Sequence, residues 1–536
     1  MPPQLYEVPK TKACQSCAVA KAKCEPDTGY TKCKRCNRLN IDCILKESAP
    51  RKRQRYTPTN NFNGRSQSGG PSYSPFELER GIAFYLKSIS HYFPFIEATK
   101  VYRLNTTEAP FLSLVFAMLG CTKDRSRQRA LVVECRRYLG KHVVEDGQKS
   151  VDLLQGLLIL VHWYHYQFEH ISNQRALFLH MAMAMAVDLE LNKPTSSRSS
   201  LRKFTDAAKC YEVQLDGIAD HTFEEKRVFL GCLYLTSVLS KCSMNMDGIK
   251  FSEYAEKCCE SLEASTLPSD RELCYLLRLQ QIIEQFEHAR APFTNVHRMH
   301  GFIFNFNYNT YNRPKHGSVL EFVDQWTSVL EDYWNKIPAS KKTDILSLQY
   351  HYAKVGLHEI CLEESAFASP SERANMLYRC LNSIASLHEI FIPFSRDPMI
   401  FMDIPSHIFA QSNHGTFVAI QLCSVRCEGW SPTAVEKRLY LVDVFDRTMK
   451  IFDDLLTTTD NNEIPEFFLR LAPMAKSIKG WWQSRLCTIE DGEAKVEEEA
   501  QPEQEYSEAD FEFLGQFLNL DDNTWLQNML VQGGFD

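Results

Sequence analysis

The chain has 536 residues, 44% hydrophobic and 24% charged, with a net charge of −7. That is broadly globular and enough for one large or several ordinary domains. The first residues, "MPPQLYEVPKTKAC", lack the apolar stretch of a secretory signal, and no uncharged run reaches the ~18 residues that span a bilayer, so the protein reads as soluble and intracellular, with no membrane partner.

Charge is unevenly placed. Residues 1–60 carry 13 Lys/Arg against 5 Asp/Glu, while residues 488–536 carry 14 Asp/Glu against Lys495 alone. A basic head and an acidic tail on a near-neutral body point to two polar partners, one of them a polyanion. In chain order, residues 1–12 read as a flexible arm and 13–45 as a cysteine module. Residues 46–75, rich in Ser, Gly, Asn and Pro, read as a disordered linker. No apolar heptad follows the module, so no zipper is expected there.

The module spaces its cysteines C-x2-C-x6-C twice: Cys14, Cys17, Cys24, then Cys33, Cys36, Cys43. Zinc(II) takes four soft ligands in a tetrahedron, and a C-x2-C turn supplies two of them. Six thiolates serve two such ions only if two sulfurs are shared. A module of about thirty residues has no adequate core, so two zinc ions would supply its folding energy. The alternative, a disulfide knot, needs an oxidising compartment, and nothing in the sequence points to one.

This stretch resembles the fungal binuclear zinc-cluster DNA-binding domain of the galactose-regulator type. The resemblance implies that Cys14 and Cys33 bridge the two zincs. It implies that the short helix after the second cysteine enters the major groove of double-stranded DNA over a CGG-type site, with Lys21 reading bases beside Lys23, and the Ala20 and Lys21 carbonyls accepting from cytosine. The family often carries basic residues where this chain has Ala18 and Ala20, and a proline just before the fourth cysteine, where this chain has "EPDTGYTK". Fewer phosphate anchors follow, for which Lys34, Arg35 and Arg38 could compensate. Arg51, Lys52, Arg53 and Arg55 in "RKRQR" read as a nuclear-import signal or phosphate arm, which places the protein in the nucleus.

From 76 to 487 apolar residues recur at helical spacing and strand alternation is scarce, so the body reads as all-α. In "SDRELCYLLRLQQIIEQF", Ser269 and Glu272 form a capping-box pattern and Leu273, Leu276, Leu279, Ile283 and Phe286 share one side. "QRALFLHMAMAMAVDLELNKP" reads as a helix stopped near Pro194, "KRVFLGCLYLTSVLSKC" as another helix, and 385–415, with Pro393, Pro398 and Pro405, as irregular. "HYFPFIEAT", "GQKSVDLLQGLLILVHWYHYQ" and "MAMAMAVDLELNKP" resemble the middle homology region of fungal zinc-cluster regulators, over roughly residues 80–290. That likeness implies a regulatory role and extends to regulators of biosynthetic gene clusters. A homodimer through this helical region is one expectation.

No nucleophile elbow, phosphate loop or H-E-x-x-H zinc site is found. His162 and His165, an H-x2-H pair amid aromatics, read as core, as do the Met183/Met185 stripe and the thiols Cys258, Cys259, Cys423 and Cys427. The tail interleaves acids with two apolar helical sets: Phe511, Leu514, Phe517 and Leu518, then Trp525, Leu526, Met529 and Leu530. It resembles an activation segment that folds onto coactivators or the general transcription machinery. The sequence therefore reads as a zinc-dependent, DNA-binding RNA polymerase II transcription factor, an activator, and not an enzyme. The rivals are a repressor of the same class, and a small-molecule-binding protein or enzyme with a scaffolding zinc module.

Overall fold

The computed structural model describes residues 16–17, 20, 22–25, 32–43, 72–167, 174–195, 220–242, 248–290, 293, 318–458 and 464–490. It divides into two units, Met1–Gly70 and Pro71–Asp536. Among the described residues there are helices and no strands, as the periodicity predicts. The first unit holds α1 (Lys34–Arg38).

The second unit is a pile of helices. In chain order these are α2 (Pro75–Phe84), α3 (Ala98–Tyr102), α4 (Pro110–Leu119), α5 (Arg125–Leu139), α6 (Val151–His162), α7 (Arg175–Asp188), α8 (Phe223–Cys242), α9 (Glu253–Glu263) and α10 (Pro268–Arg290). Then come α11 (Val319–Lys336), α12 (Asp344–His358), α13 (Pro370–Phe391), α14 (Pro398–Asp403), α15 (Ser406–Ser424), α16 (Thr433–Leu439), α17 (Leu441–Thr458) and α18 (Glu466–Glu490). Packing reaches back to Tyr73, which is buried, and Ser74 opens α2 through a reciprocal capping box with Glu77. Glu77 also takes the Arg127 guanidinium at 2.6 Å, and together these contacts hold its carboxyl down to about 2.

α2 lies backbone to backbone on α4. A Cβ at Gly81 would run into the Phe116 carbonyl, and one at Gly120 into that of Glu77, so both positions need glycine for the close approach. α6 is buried on all sides from Leu153 to His162, and so sits at the centre of the pile rather than on its surface. Its far end is fastened to the C-terminal half. Trp163 Nε1 donates to the Asp403 carbonyl at 2.9 Å, Tyr166 donates to the Asp403 carboxyl at 2.8 Å, and a His165 ring nitrogen lies 2.9 Å from the Met402 carbonyl. Another long-range tie is the buried pair Arg227–Asp270, at 2.6 and 3.0 Å, with Glu97 alongside at 3.2 Å.

Three local expectations are corrected. Ser269 does not cap: α10 starts one residue earlier, at Pro268, and Glu272 instead accepts from the Thr343 hydroxyl at 2.7 Å. The apolar set from Leu273 to Phe286 is buried as expected. α7 ends at Asp188, well before Pro194. Glu190 adopts a left-handed φ of 57°, and the Glu190 and Leu191 N–H groups bond back to Val187 and Ala186 in a Schellman closure. Residues 385–415 are mostly helical: Pro398 is the first residue of α14, Pro405 caps α15, and Pro393 sits in a short 3₁₀ turn after α13. There the prolines start helices rather than break them, because a first-turn residue has no intrahelical N–H bond to lose.

His162 and His165 are buried core residues. His162 stacks on Phe93 with ring centroids 4.5 Å apart, and burial pushes its pKa well below 6.5. Met185, Cys258, Cys259 and Cys423 are buried, and Met183 and Cys427 half-buried. Among the described residues no helix is long and apolar enough to cross a membrane.

Candidate metal centre and nucleic-acid face

The site grows from one thiol. Cys33 precedes α1 and occupies its N-cap position, where its sulfur accepts the Cys36 N–H at 3.4 Å. The C-x2-C spacing makes this possible, since an N-cap acceptor meets the N–H three residues on. The Cys17 sulfur lies 3.6 Å from that of Cys33, and the sulfurs of Cys17, Cys33 and Cys36 all lie within 4.8 Å of one another. The Cys43 sulfur accepts the Cys33 N–H at 3.3 Å. Cys24 and Cys43 pack half-buried against this buried trio. Cys33 therefore has thiols of both half-modules around it.

The chemistry of this donor set fits a soft metal. The five described cysteines of the module are not in disulfides, and 3.6 Å between the Cys17 and Cys33 sulfurs is far beyond the ~2.05 Å of a disulfide. The Cys36 N–H, with smaller contributions from the Cys36, Cys17 and Cys24 thiols, pulls Cys33 from 9.0 down to about 6. A thiolate is the form that ligates zinc. Cys14 lies outside the described residues, so its expected sharing with Cys33 has no geometry here.

The two half-modules are stitched by polar contacts that spacing alone did not reveal. Ser16 Oγ donates to the Asp42 carbonyl at 2.7 Å, the Lys34 N–H to the Glu25 carbonyl at 3.0 Å, and Arg35 reaches the Ser16 carbonyl at 3.5 Å. Glu25 also pairs with Lys23 at 2.6 Å and faces Lys34 at 3.7 Å. The one available signal was an acid directly after the third cysteine of an otherwise basic stretch.

The expected DNA-facing residues are thus differently employed. Ala20 is exposed, and its N–H bonds to the Ser16 carbonyl at 3.3 Å. Lys23 and Lys34 are exposed, with Glu25 partly balancing their charge; Arg35 is half-buried in the seam; Arg38 is exposed at the end of α1. Lys21, the arm of Arg51, Lys52, Arg53 and Arg55, and the tail residues Phe511, Leu514, Phe517, Leu518, Trp525, Leu526, Met529 and Leu530 lie outside the described residues.

Compared with known proteins, the chain is similar over nearly its whole length to a transcription factor, opdL, of Penicillium oxalicum: 23% identity across 98% of each chain. It is 25% identical to the transcription factor himD of Aspergillus japonicus, over 66% of this chain and 62% of that one. It is 24% identical to the transcription factor pbcR of Emericella nidulans, over 52% of this chain and 49% of the relative. No family model and no solved structure matches it.

Proposed function

We propose that this chain is a nuclear, zinc-dependent transcription factor that binds DNA through its cysteine-rich head. The observation that carries the reading is the position of Cys33, with Cys17 and Cys36 sulfurs beside it and Cys43 on its own N–H, in a chain similar end to end to a fungal transcription factor.

Two zinc ions would be held by Cys14, Cys17, Cys24, Cys33, Cys36 and Cys43, with Cys14 and Cys33 shared. The metal supplies folding energy and fixes the turns. This chain's own residues do the rest. Ser16, Glu25 and Arg35 lock the half-modules together, so that the turn carrying Ala20 and Lys21 is presented to the major groove of a CGG-type site. Arg38, Lys34 and the 51–55 arm add phosphate contacts, which position the head without reading sequence. The Lys23–Glu25 pair must open for Lys23 to meet phosphate, and that tempers an already thin set of anchors. Binding should fall steeply with salt, as counterion release dictates.

The test is a gel shift of the full chain on CGG-containing and scrambled duplexes, with and without a zinc chelator. Chelation should abolish the shift. Lys21→Ala should cost ~1–3 kcal/mol on the CGG duplex and little on the scrambled one. Chelator-insensitive or sequence-blind binding refutes the reading. The acidic tail acts as the activating segment, recruiting coactivators or the general machinery; residues 488–536 fused to an inert DNA-binding domain should drive a reporter, and silence would overturn that role. The pathway is a biosynthetic gene cluster, and the chain is no enzyme; the helical body is the regulatory part and the site of any dimer.

A further inference from the structure

The C-terminal half of the helical body contains a cavity of about 110 Å³ that the DNA-binding reading does not use. It opens where α13, α14, α15, α17 and α18 meet. Phe391, Phe401, Phe409, Phe417 and Phe445 are among its walls, with Phe401 and Phe409 meeting edge to face at 4.9 Å. A closed apolar cavity of about 150 Å³ takes up a benzene ring; this one is somewhat smaller but open at its mouth, so it suits a single ring whose substituent stays outside.

Polar side chains also line it, and His388 and Arg447 bear most on what it could hold. His388 Nε2 lies 3.2 Å from the Thr416 hydroxyl, which donates its own proton to the Ser412 carbonyl at 3.2 Å. That fixes Nε2 as the donor and leaves Nδ1 as an acceptor, buried and without a partner. Burial first, and the nearby Arg447 charge second, hold His388 down to about 4, so the ring is neutral.

Arg447 is the other feature. It lines the cavity yet is exposed, so its guanidinium sits at the mouth. Among the described residues it has no ion pair or hydrogen bond. The neighbouring acids are otherwise placed: Asp446 is taken by Lys479, Glu389 by Arg438, and Asp443, one turn earlier on α17, makes no ion pair with Arg447. A planar, permanently charged fork above an aromatic slot matches a flat hydrophobic body that ends in a carboxylate.

We propose that this cavity is a binding site for a small aromatic carboxylic acid of one ring, with the ring between the phenylalanines and the carboxylate on Arg447. It stands apart from the DNA-binding reading, because neither zinc nor DNA enters its test.

The full chain is titrated calorimetrically with benzoate, phenylacetate and 3-phenylpropionate, and with the amide of each. At least one acid should bind one to one, about tenfold tighter than its amide. Arg447→Gln, an exposed position, should erase that preference and leave amide binding unchanged. Ala475→Phe, which fills the cavity, should abolish both; if that variant fails to fold, Arg447→Gln still decides. The proposal is overturned if no acid binds saturably, or if the preference for acid survives in Arg447→Gln.

Discussion

Mild acid should destabilise the helical body strongly. Five histidines are buried there as neutral rings. Burial holds His165, His358 and His407 to about 3 and His388 to about 4, and pushes His162 well below 6.5. The sign follows from linkage. The unfolded chain protonates each ring near 6.5 while the folded chain does not, so their contribution is fully present above 6.5 and is lost as pH falls below it. Between pH 7.5 and 6.0 each ring costs about 0.8 kcal/mol, or about 4 kcal/mol for five. Asp403 opposes this. Burial raises it from 3.8 to about 6, so the folded state gains protons in the same interval and recovers about 0.4 kcal/mol. The net loss, about 3.5 kcal/mol, is a large share of the usual 5–15 kcal/mol. Urea unfolding followed by tryptophan fluorescence reads the body through six of the seven tryptophans, since residues 1–70 contain none; Trp525→Phe removes the one in the tail. A change under about 1 kcal/mol between the two pH values would refute the neutral-ring account. His407→Asn should flatten the slope by roughly a fifth.

Other outcomes follow from single contacts. Cys33→Ala should lower bound zinc from about two ions per chain to one or fewer, measured by metal release to a chromogenic chelator, whereas Cys427→Ala should leave it unchanged; equal zinc content in the two variants would remove Cys33 from the centre of the cluster. Gly81→Ala should cost about 3 kcal/mol, because the added methyl meets backbone rather than a movable side chain; an unchanged melting temperature would contradict the α2–α4 contact. Arg227→Met should cost about 3–5 kcal/mol by stranding Asp270 as a buried charge. Adding Asp270→Leu should recover most of that loss in the same melt, and a double variant no better than the single would show that the cost lies elsewhere.

Local chemistry carried much of this protein in its sequence. The doubled C-x2-C-x6-C step announces a metal module because ligand spacing is a matter of a few residues, and the buried set from Leu273 to Phe286 announces its helix because amphipathicity repeats every turn. Where neighbouring residues offer two local solutions, the chain alone did not choose. Pro398 and Pro405 suit a helix start as well as a break, and Ser269–Glu272 suits a cap that Pro268 pre-empts and Thr343 makes unnecessary. Tertiary packing alone decided the rest. Trp163 finds its acceptor 240 residues away at Asp403, Arg227 finds Asp270 on another helix, and the cavity by Arg447 is assembled from residues spread between His388 and Ile478. Short-range patterns reflect turn geometry and ligand reach, which a few adjacent residues determine. A buried partner or a cavity depends on which helices meet, and that is set by the packing of the whole core.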